Sequence, residues 1–136
     1  MRTIDPTRDD LQRLAQTVPL DTPVTMLNLL RYRAQAEYPA GSGHAPCSGR
    51  EAYQRYAEVA LRKIRELGGE PVLLAPVLAR VIAPAGEDWD ELLLVRYPSL
   101  GALLAMLAMP DYRAATVHRT AALEDARLFA TRTSTP

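Results

Sequence analysis

The stretch SGREAYQRYAEVALRKIRELGG, residues 48–69, decides the fold because it predicts a helix with two clear ends. Ser48 followed three positions later by Glu51 forms a capping box, which typically starts a helix. Apolar side chains then recur at helical spacing as far as Leu67, and the glycine pair 68–69 is a typical helix stop. We therefore expect an amphipathic helix that packs its apolar stripe on the rest of the domain.

Strands are predicted on both sides of this helix. PVTMLNLLRYR (23–33) precedes it, and EPVLLAPVLARVIAP (70–84) follows as a long strand that Pro76 bulges or confines to a sheet edge. The rest reads as a strand, a helix capped by Ser99, a second helical piece and a last strand, over 91–98, 99–110, 110–123 and 125–133.

The order of these elements predicts the fold class. After an N-terminal helix within residues 1–20, which Asp5 caps, the order is strand, helix, strand, strand, helix, strand. Such a pattern is typical of an α+β ferredoxin-like βαββαβ sandwich, with helices on one face of a four-stranded antiparallel sheet. We expect one domain over 1–136, with a core at 23–131 and a tail at 132–136.

The first strand also predicts self-association. Its alternation places Leu27 and Leu29 on one face, which we expect to contact the helices, and Met26, Asn28, Leu30 and Tyr32 on the other. An uncovered face this apolar favours a partner. We therefore predict a homodimer that pairs through its sheets as a dimeric α/β barrel and encloses a cavity between them.

Composition excludes several function classes. Sixteen basic residues balance sixteen acidic ones, and none forms a basic block, which disfavours nucleic acid. No apolar stretch is long enough to span a membrane, and Cys47 is the only cysteine, so an internal disulfide cannot form. We expect a cytoplasmic protein that binds neither nucleic acid nor membranes.

Residues 34–49 lack a periodic pattern and are rich in Gly, Pro, Ala and Ser. Loops of this length are mobile or partner-covering segments, or lids over a site. Cys47 in this loop supports a weaker hypothesis, an electrophile sensor.

Four segments, MLNLLRYR, SGREAYQRYAE, WDELLLVRYPS and MPDYRAATVHRTAALEDARL, together resemble a bacterial family numbered 1330 among the domains of unknown function. The resemblance covers roughly residues 23–131. It implies a ferredoxin-like protomer of the dimeric α/β-barrel superfamily and no known reaction. The matching positions are Asn28, Tyr53, Tyr56, Trp89, Asp90, Tyr97, Pro98, Ser99, Tyr112, His118 and Arg119, while the loop around His44 and Cys47 departs from the family by its length.

His118 is the candidate catalytic residue because imidazole titrates near neutral pH and serves as a general acid or base. The structural alternative is a hydrogen bond to a carbonyl or carboxylate that holds the helix end. Arg119 is a candidate clamp for a substrate carboxylate, or a partner of Asp111, Glu124, Asp125 or a second subunit.

The candidate substrate-binding residues are otherwise an amide and four aromatic side chains. Asn28, on the expected open sheet face, bonds across the dimer or orients a ligand. Tyr53 and Tyr56 lie on the apolar stripe of the capped helix, as core or with a hydroxyl at a cavity edge. Trp89 is expected to fill a gap between strands and helix, and Tyr97 is a candidate through the resemblance.

We expect no cofactor and no metal, since His44 and His118 are far apart in sequence and no metal, dinucleotide or phosphate motif occurs. The function hypothesis is a homodimer that binds a small organic molecule, with a cofactor-independent enzyme using His118 as one form of it. The alternative is a non-catalytic metabolite-binding or dimerisation module.

Overall fold

Four strands form one antiparallel sheet in the computed structural model, which describes residues 1–134. The elements are α1 (Arg8–Thr17), β1 (Val24–Tyr32), α2 (Gly49–Glu66), β2 (Glu70–Pro76), β3 (Glu91–Tyr97), α3 (Leu100–Ala108), α4 (Pro110–Ala122) and β4 (Leu123–Thr131). The strand order is β2-β3-β1-β4, so β1 lies between β3 and β4. This arrangement is ferredoxin-like, and the predicted fold class is confirmed. Of the predicted tail, residues 135–136 lie outside the described residues.

Helix α2 begins and ends as predicted. Ser48 Oγ accepts a hydrogen bond from the backbone N–H of Glu51 at 3.1 Å, and Glu51 Oε1 accepts one from the backbone N–H of Ser48 at 3.1 Å. Beyond Glu66, Gly68 adopts φ +82°, the left-handed conformation that commonly ends helices. The helix buries Ala52, Tyr56, Ala60 and Ile64, and its apolar stripe packs against the sheet and α4.

The N-terminal helix is shorter than predicted and has a different cap. Thr7, not Asp5, caps α1, and Asp10 completes a capping box with it. Asp5 instead accepts hydrogen bonds from Thr120 on α4. A threonine with an acidic residue three positions on satisfies two helix N–H groups, which favours this start over the earlier one.

The predicted long strand over 70–84 is wrong in extent, because β2 ends at Pro76. It lies at the sheet edge, as the proline indicated, and its register with β3 shifts between Pro71 and Leu73. A proline cannot donate to the sheet ladder, so Pro76 ends the pairing. The segment 77–83, called the arm below, continues without sheet pairing, and its side chains at Leu78, Val81 and Ile82 are 93%, 94% and 95% exposed.

The two faces of β1 are the reverse of the prediction. Met26, Asn28 and Leu30 are buried on the side that faces the helices, whereas Leu27 and Leu29 are half-buried on the other side. The alternation itself is as expected. The assignment was wrong because both faces carry leucine or methionine, so hydrophobicity alone did not distinguish them.

The loop after β1 has no regular secondary structure between Arg33 and Ser48, as predicted, but it is tied to the domain. The backbone N–H of Ala36 donates to Cys47 O at 2.9 Å, and that of Glu37 donates to Ala121 O at 2.9 Å. Cys47 is only 7% exposed, in a small core with Leu30 and Leu123. The electrophile-sensor hypothesis needs an accessible thiol, and this burial argues against it.

None of the described helices is both long and apolar enough to cross a membrane.

Gly49 joins three elements and gives a test of the fold. Its N–H donates to Arg33 O at 3.1 Å, and an added Cβ would lie 2.7 Å from Ala122 O. We expect Gly49→Ala to lower the free energy of unfolding by about 3 kcal/mol or more, because two backbone segments would have to move. Equilibrium urea unfolding measures this loss.

Gly86→Ala is the matched control. Nothing lies within 4 Å of its added Cβ, although φ is +83°, so its loss is limited to about 1–2 kcal/mol of backbone strain. Equal losses in the two variants would contradict the tight junction at Gly49.

Candidate functional site

A cavity of about 1740 Å³, partly open to solvent, lies between the helix-facing side of the sheet and helices α1, α2 and α4. Met26 and Leu93 form its floor on the central strands, and Leu103 and Met106 line it from α3. The predicted cavity was between the sheets of two subunits. The cavity seen in this structure lies within one chain, beside the sheet, on the side of β1 that carries Met26 and Asn28.

Four tyrosines form one wall of the cavity. The ring centroids are 5.5 Å apart between Tyr32 and Tyr53, 5.3 Å between Tyr53 and Tyr56, and 5.9 Å between Tyr56 and Tyr112. The hydroxyls of Tyr56 and Tyr112 share a hydrogen bond of 2.8 Å, and that of Tyr32 donates to Glu91 at 2.7 Å. Tyr53, on α2 between two of these rings, has no hydroxyl partner among the described residues.

These hydroxyls stay protonated at neutral pH. Burial raises the pKa of Tyr53 to about 12 and raises the pKa of Tyr56 and Tyr112 above the ordinary value. Desolvation disfavours the phenolate, which is the charged form. The tyrosine wall therefore offers neutral hydrogen-bond donors and apolar ring faces rather than bases.

Arg119 brings a positive charge to the cavity. It lies on the buried face of α4 with Tyr112, Ala115 and Ala122, and is 7% exposed. Its Nη1 donates to Ile4 O at 2.5 Å and lies 3.5 Å from Asp5 Oδ1. Of the alternatives from the sequence, pairing with Asp111, Glu124 or Asp125 is wrong, because the ion pairs of those residues lie elsewhere.

Asn28 lines the same cavity from the middle of β1 and is 9% exposed. Its Nδ2 donates to Leu93 O on β3 at 3.2 Å. Its Oδ1 accepts no hydrogen bond from the residues that the structure describes. A bond across a sheet-paired dimer, one of the two predicted roles, is excluded because Asn28 faces the helices.

The predicted site residues fall into two groups. Tyr97, which is 4% exposed, lines the cavity from β3 together with Asn28, Arg119, Tyr53 and Tyr56. Trp89 does not line it. Trp89 and the arm instead form a separate hollow of about 220 Å³, with the Arg127 guanidinium 5.0 Å from the tryptophan ring. The expected place between strands and helix is therefore wrong for Trp89.

His118 lies outside the cavity, on a different flank of α4 from Arg119. Its Nδ1 shares a hydrogen bond of 2.7 Å with the hydroxyl of Tyr38, and that hydroxyl accepts a hydrogen bond from Arg55 at 3.1 Å. The ring of His44, which is part of the loop, packs edge-on against the His118 ring at 4.7 Å, so the loop brings together two histidines that are distant in sequence. The structure does not bring His118 together with Asn28 and Arg119, and a catalytic role for it stays a prediction.

Tyr112 and Tyr32 line the cavity, although neither is among the candidate site residues predicted from the sequence. Tyr112 shares its helix flank with Arg119, seven positions later, so helical periodicity was a usable signal. Tyr32 follows Asn28 by four positions on β1, so strand alternation placed both side chains on one face and was a usable signal as well.

Comparison with known proteins identifies solved structures that are similar to the whole chain. None of the protein-family models matches the chain, and no curated protein matches it. RPA0582, a protein of unknown function from Rhodopseudomonas palustris, is similar over its whole length in two crystal structures. The methylated protein is 35% identical, with 99% of this chain and 97% of that chain covered and a TM-score of 0.91. The other structure is 34% identical, with both chains fully covered (100% each) and a TM-score of 0.90.

A more distant likeness bears on the fold alone. A dimeric protein of unknown function and ferredoxin-like fold from Bacteroides fragilis is 13% identical, with a TM-score of 0.50. The match covers 82% of this chain and 96% of that one.

The surroundings of His118 predict a pH effect on stability. Burial, then His44 and Arg55, lower the pKa of His118 below 6.5, so the unfolded chain takes up the proton more readily than the folded one. Stability is therefore lost as the pH falls below the unfolded value. We expect a smaller drop in Tm from about pH 7.5 to about pH 5.5 in His118→Gln than in wild type.

His44→Gln is the matched variant, because it removes one cause of the shift and leaves His118 in place. Its Tm should drop less than that of wild type and more than that of His118→Gln. Identical pH profiles for all three proteins would refute this account of the cluster.

Proposed function

The chain belongs to the same family as the RPA0582 protein of Rhodopseudomonas palustris, and on that premise we propose that it is a homodimer that binds a small organic molecule in its sheet–helix cavity. RPA0582 is itself of unknown function, so it supplies no activity to transfer. The resemblance to the family numbered 1330 and the cytoplasmic location are part of the same proposal.

The observation that carries the binding function is spare hydrogen-bonding capacity in a large cavity. Buried polar groups are almost always paired in folded proteins. Asn28 Oδ1, the Tyr53 hydroxyl and the Nε and Nη2 atoms of Arg119 have no partner among the described residues, but they are not sealed from the cavity that all three side chains line. A ligand with complementary groups satisfies them and fills the space between the rings.

Binding without catalysis is the form of this function that the geometry supports best. The enzyme hypothesis needs an acid or base that reaches the ligand, and its candidate, His118, lies outside the cavity. The three carboxylates that line the cavity within the described chain are already engaged, Asp5 with Thr120, Asp10 with Arg13, and Glu91 with Arg50 and Tyr32. The buried tyrosines keep their protons at neutral pH, so they do not act as bases in the resting state. The binding-module alternative needs only the cavity and its polar groups.

The open face of the sheet supports the homodimer. One row of apolar side chains, called the leucine row below, crosses all four strands in register: Leu73 pairs with Leu94, Leu94 with Leu27, and Leu27 with Phe129. Leu73 and Phe129 are 47% and 56% exposed, and Leu27 and Leu94 belong to neither core cluster. A contiguous apolar surface of this kind marks an association site. A second copy presents the same row, so the contact is self-complementary.

The arm adds to this surface. Three aliphatic side chains are almost fully exposed on it, although a hydrogen bond from Val77 N to Asp90 O holds its start and an ion pair of Arg80 with Asp88 holds its middle. Nothing in the described chain covers them, which favours a neighbouring subunit. The Bacteroides fragilis protein of the same fold is described as dimeric, which agrees with this assembly.

Ligand binding is tested by blocking the cavity. Ala57 is half-buried on α2 and lines it, so Ala57→Trp is expected to occupy the space and abolish retention of a co-purified small molecule. Native mass spectrometry followed by denaturation detects that molecule. Glu58→Trp, an exposed neighbour outside the lining, should retain it as wild type does. Equal retention in both variants would contradict the assignment of the ligand-binding site to this cavity.

The dimer is tested by placing a charge in the leucine row. Leu94→Glu should shift the sedimentation mass from that of a dimer to the 15.0 kDa of one chain, because two carboxylates would be buried at the contact. Leu20→Glu introduces the same charge at a leucine that is 58% exposed and lies outside the sheet, so it should stay dimeric. A wild type that sediments as a monomer at micromolar concentration would remove the proposal.

A further inference from the structure

Arg119 is a buried cation whose charge is only partly compensated. A guanidinium taken out of water needs close anionic or hydrogen-bonding partners. Its nearest carboxylate, Asp5, lies 3.5 Å away and is 46% exposed, and it already accepts hydrogen bonds from Thr120 at 3.0 and 3.1 Å. The strong contact of Arg119 is to the neutral carbonyl of Ile4. The protein thus fixes the position of this side chain without neutralising it.

The free donors of Arg119 form one edge of the guanidinium. Nη1 makes both contacts to the N-terminal segment, which leaves Nε and Nη2 without a partner among the described residues. These two nitrogens present parallel N–H bonds that match the two oxygens of a carboxylate. Because the side chain is nine-tenths buried and lines the cavity, that edge is available to a molecule inside it.

The charge of the cavity favours an anion. Five arginines and three acidic residues line it within the described chain, and Asp125, outside the lining, pairs with Arg127 at 2.6 Å, which leaves a net charge of one positive unit. Arg50 pairs with Glu91, and Arg13 pairs with Asp10. The acidic residues are thus engaged with other cations, and Asp5 is the one beside Arg119.

The rest of the lining is apolar and holds one free acceptor. Met26, Leu93, Leu103 and Met106 surround the space beyond the tyrosine rings, which suits a hydrocarbon or aromatic body. Asn28 Oδ1 accepts a hydrogen bond from a hydroxyl or N–H of the ligand. A single two-donor edge fits a carboxylate better than a phosphate dianion, whose third oxygen would meet apolar side chains.

We propose that the ligand is a small organic acid whose carboxylate pairs with Nε and Nη2 of Arg119 while its apolar body packs among the tyrosines. This assignment rests on the proposed ligand-binding function of the cavity and names the chemical class of the ligand. Arg119 is the anchoring residue, and Asn28 and Tyr53 contact the remaining polar groups of the ligand.

The test compares acids with their neutral amides by isothermal titration calorimetry, with benzoate and hexanoate against benzamide and hexanamide as the probes. We expect wild type to bind the acids at least about tenfold more tightly, since hydrogen bonds to a charged group contribute about 1.5–3 kcal/mol. Arg119→Gln should bring the acids down to the affinity of the amides and leave the amides within about twofold.

Asp5→Asn keeps the guanidinium and removes the competing carboxylate. It should raise the affinity for both acids by about two- to fivefold and leave the amides unchanged. The ratio of acid to amide affinity in wild type, together with the affinities of Asp5→Asn, tests the assignment even when Arg119→Gln fails to fold.

Two results would overturn the assignment. In the first, acids and amides bind wild type equally, which leaves cavity binding intact and removes the anion class. In the second, neither acid binds at millimolar concentration. Retention of a co-purified molecule that Ala57→Trp abolishes would then show that the cavity function survives, and loss of that difference would remove both.

Discussion

Side-chain alternation along the central strand β1 is the constraint on which the rest of the structure depends. One set of residues, with Met26 and Asn28, lies under the helices and forms the cavity floor. The other set, Leu27 and Leu29, lies on the open face, where Leu27 belongs to the leucine row. Because side chains alternate along a strand with a period of two, any shift of β1 that alters one surface alters the other as well. A slip of one residue would move Asn28 out of the cavity and leave a leucine in its place.

The sequence predicts the elements of this fold better than it predicts their orientation. Ser48, Glu51 and the glycine pair act within a few residues of one another, so they define α2 without knowledge of the tertiary structure. The face of β1 that meets the helices depends on packing with α2 and α4, far away in sequence. When both faces are apolar, the alternation identifies which residues share a face and leaves its direction open.

The same distinction explains the candidate site. Arg119 and Tyr112 share a flank of α4, and that local pattern does place both at the cavity. His118, only one position away, is rotated by about 100° and meets Tyr38 and His44 from a loop that the sequence presents as irregular. Titration chemistry made His118 the more attractive residue by type. The rotation along the helix places Arg119, the next residue, at the cavity instead.

Arg119 connects the N-terminal segment to the cavity through one side chain. Its Nη1 holds the carbonyl of Ile4, next to the point where the N–H of Ala126 on β4 donates to Thr3 O at 2.7 Å. The segment before α1 is thus a wall of the cavity, and it is fastened on one side to the sheet and on the other to a cation. This wall forms only when Arg119 lies on the cavity side of α4 and β1 turns Met26 and Asn28 toward the helices. An arginine that served only to fasten the segment would satisfy that need equally well from an exposed position, where its free nitrogens would bind water. Arg119 is instead nine-tenths buried, and its two donors that have no partner in the described part of the chain face the cavity, where they are available to an anion.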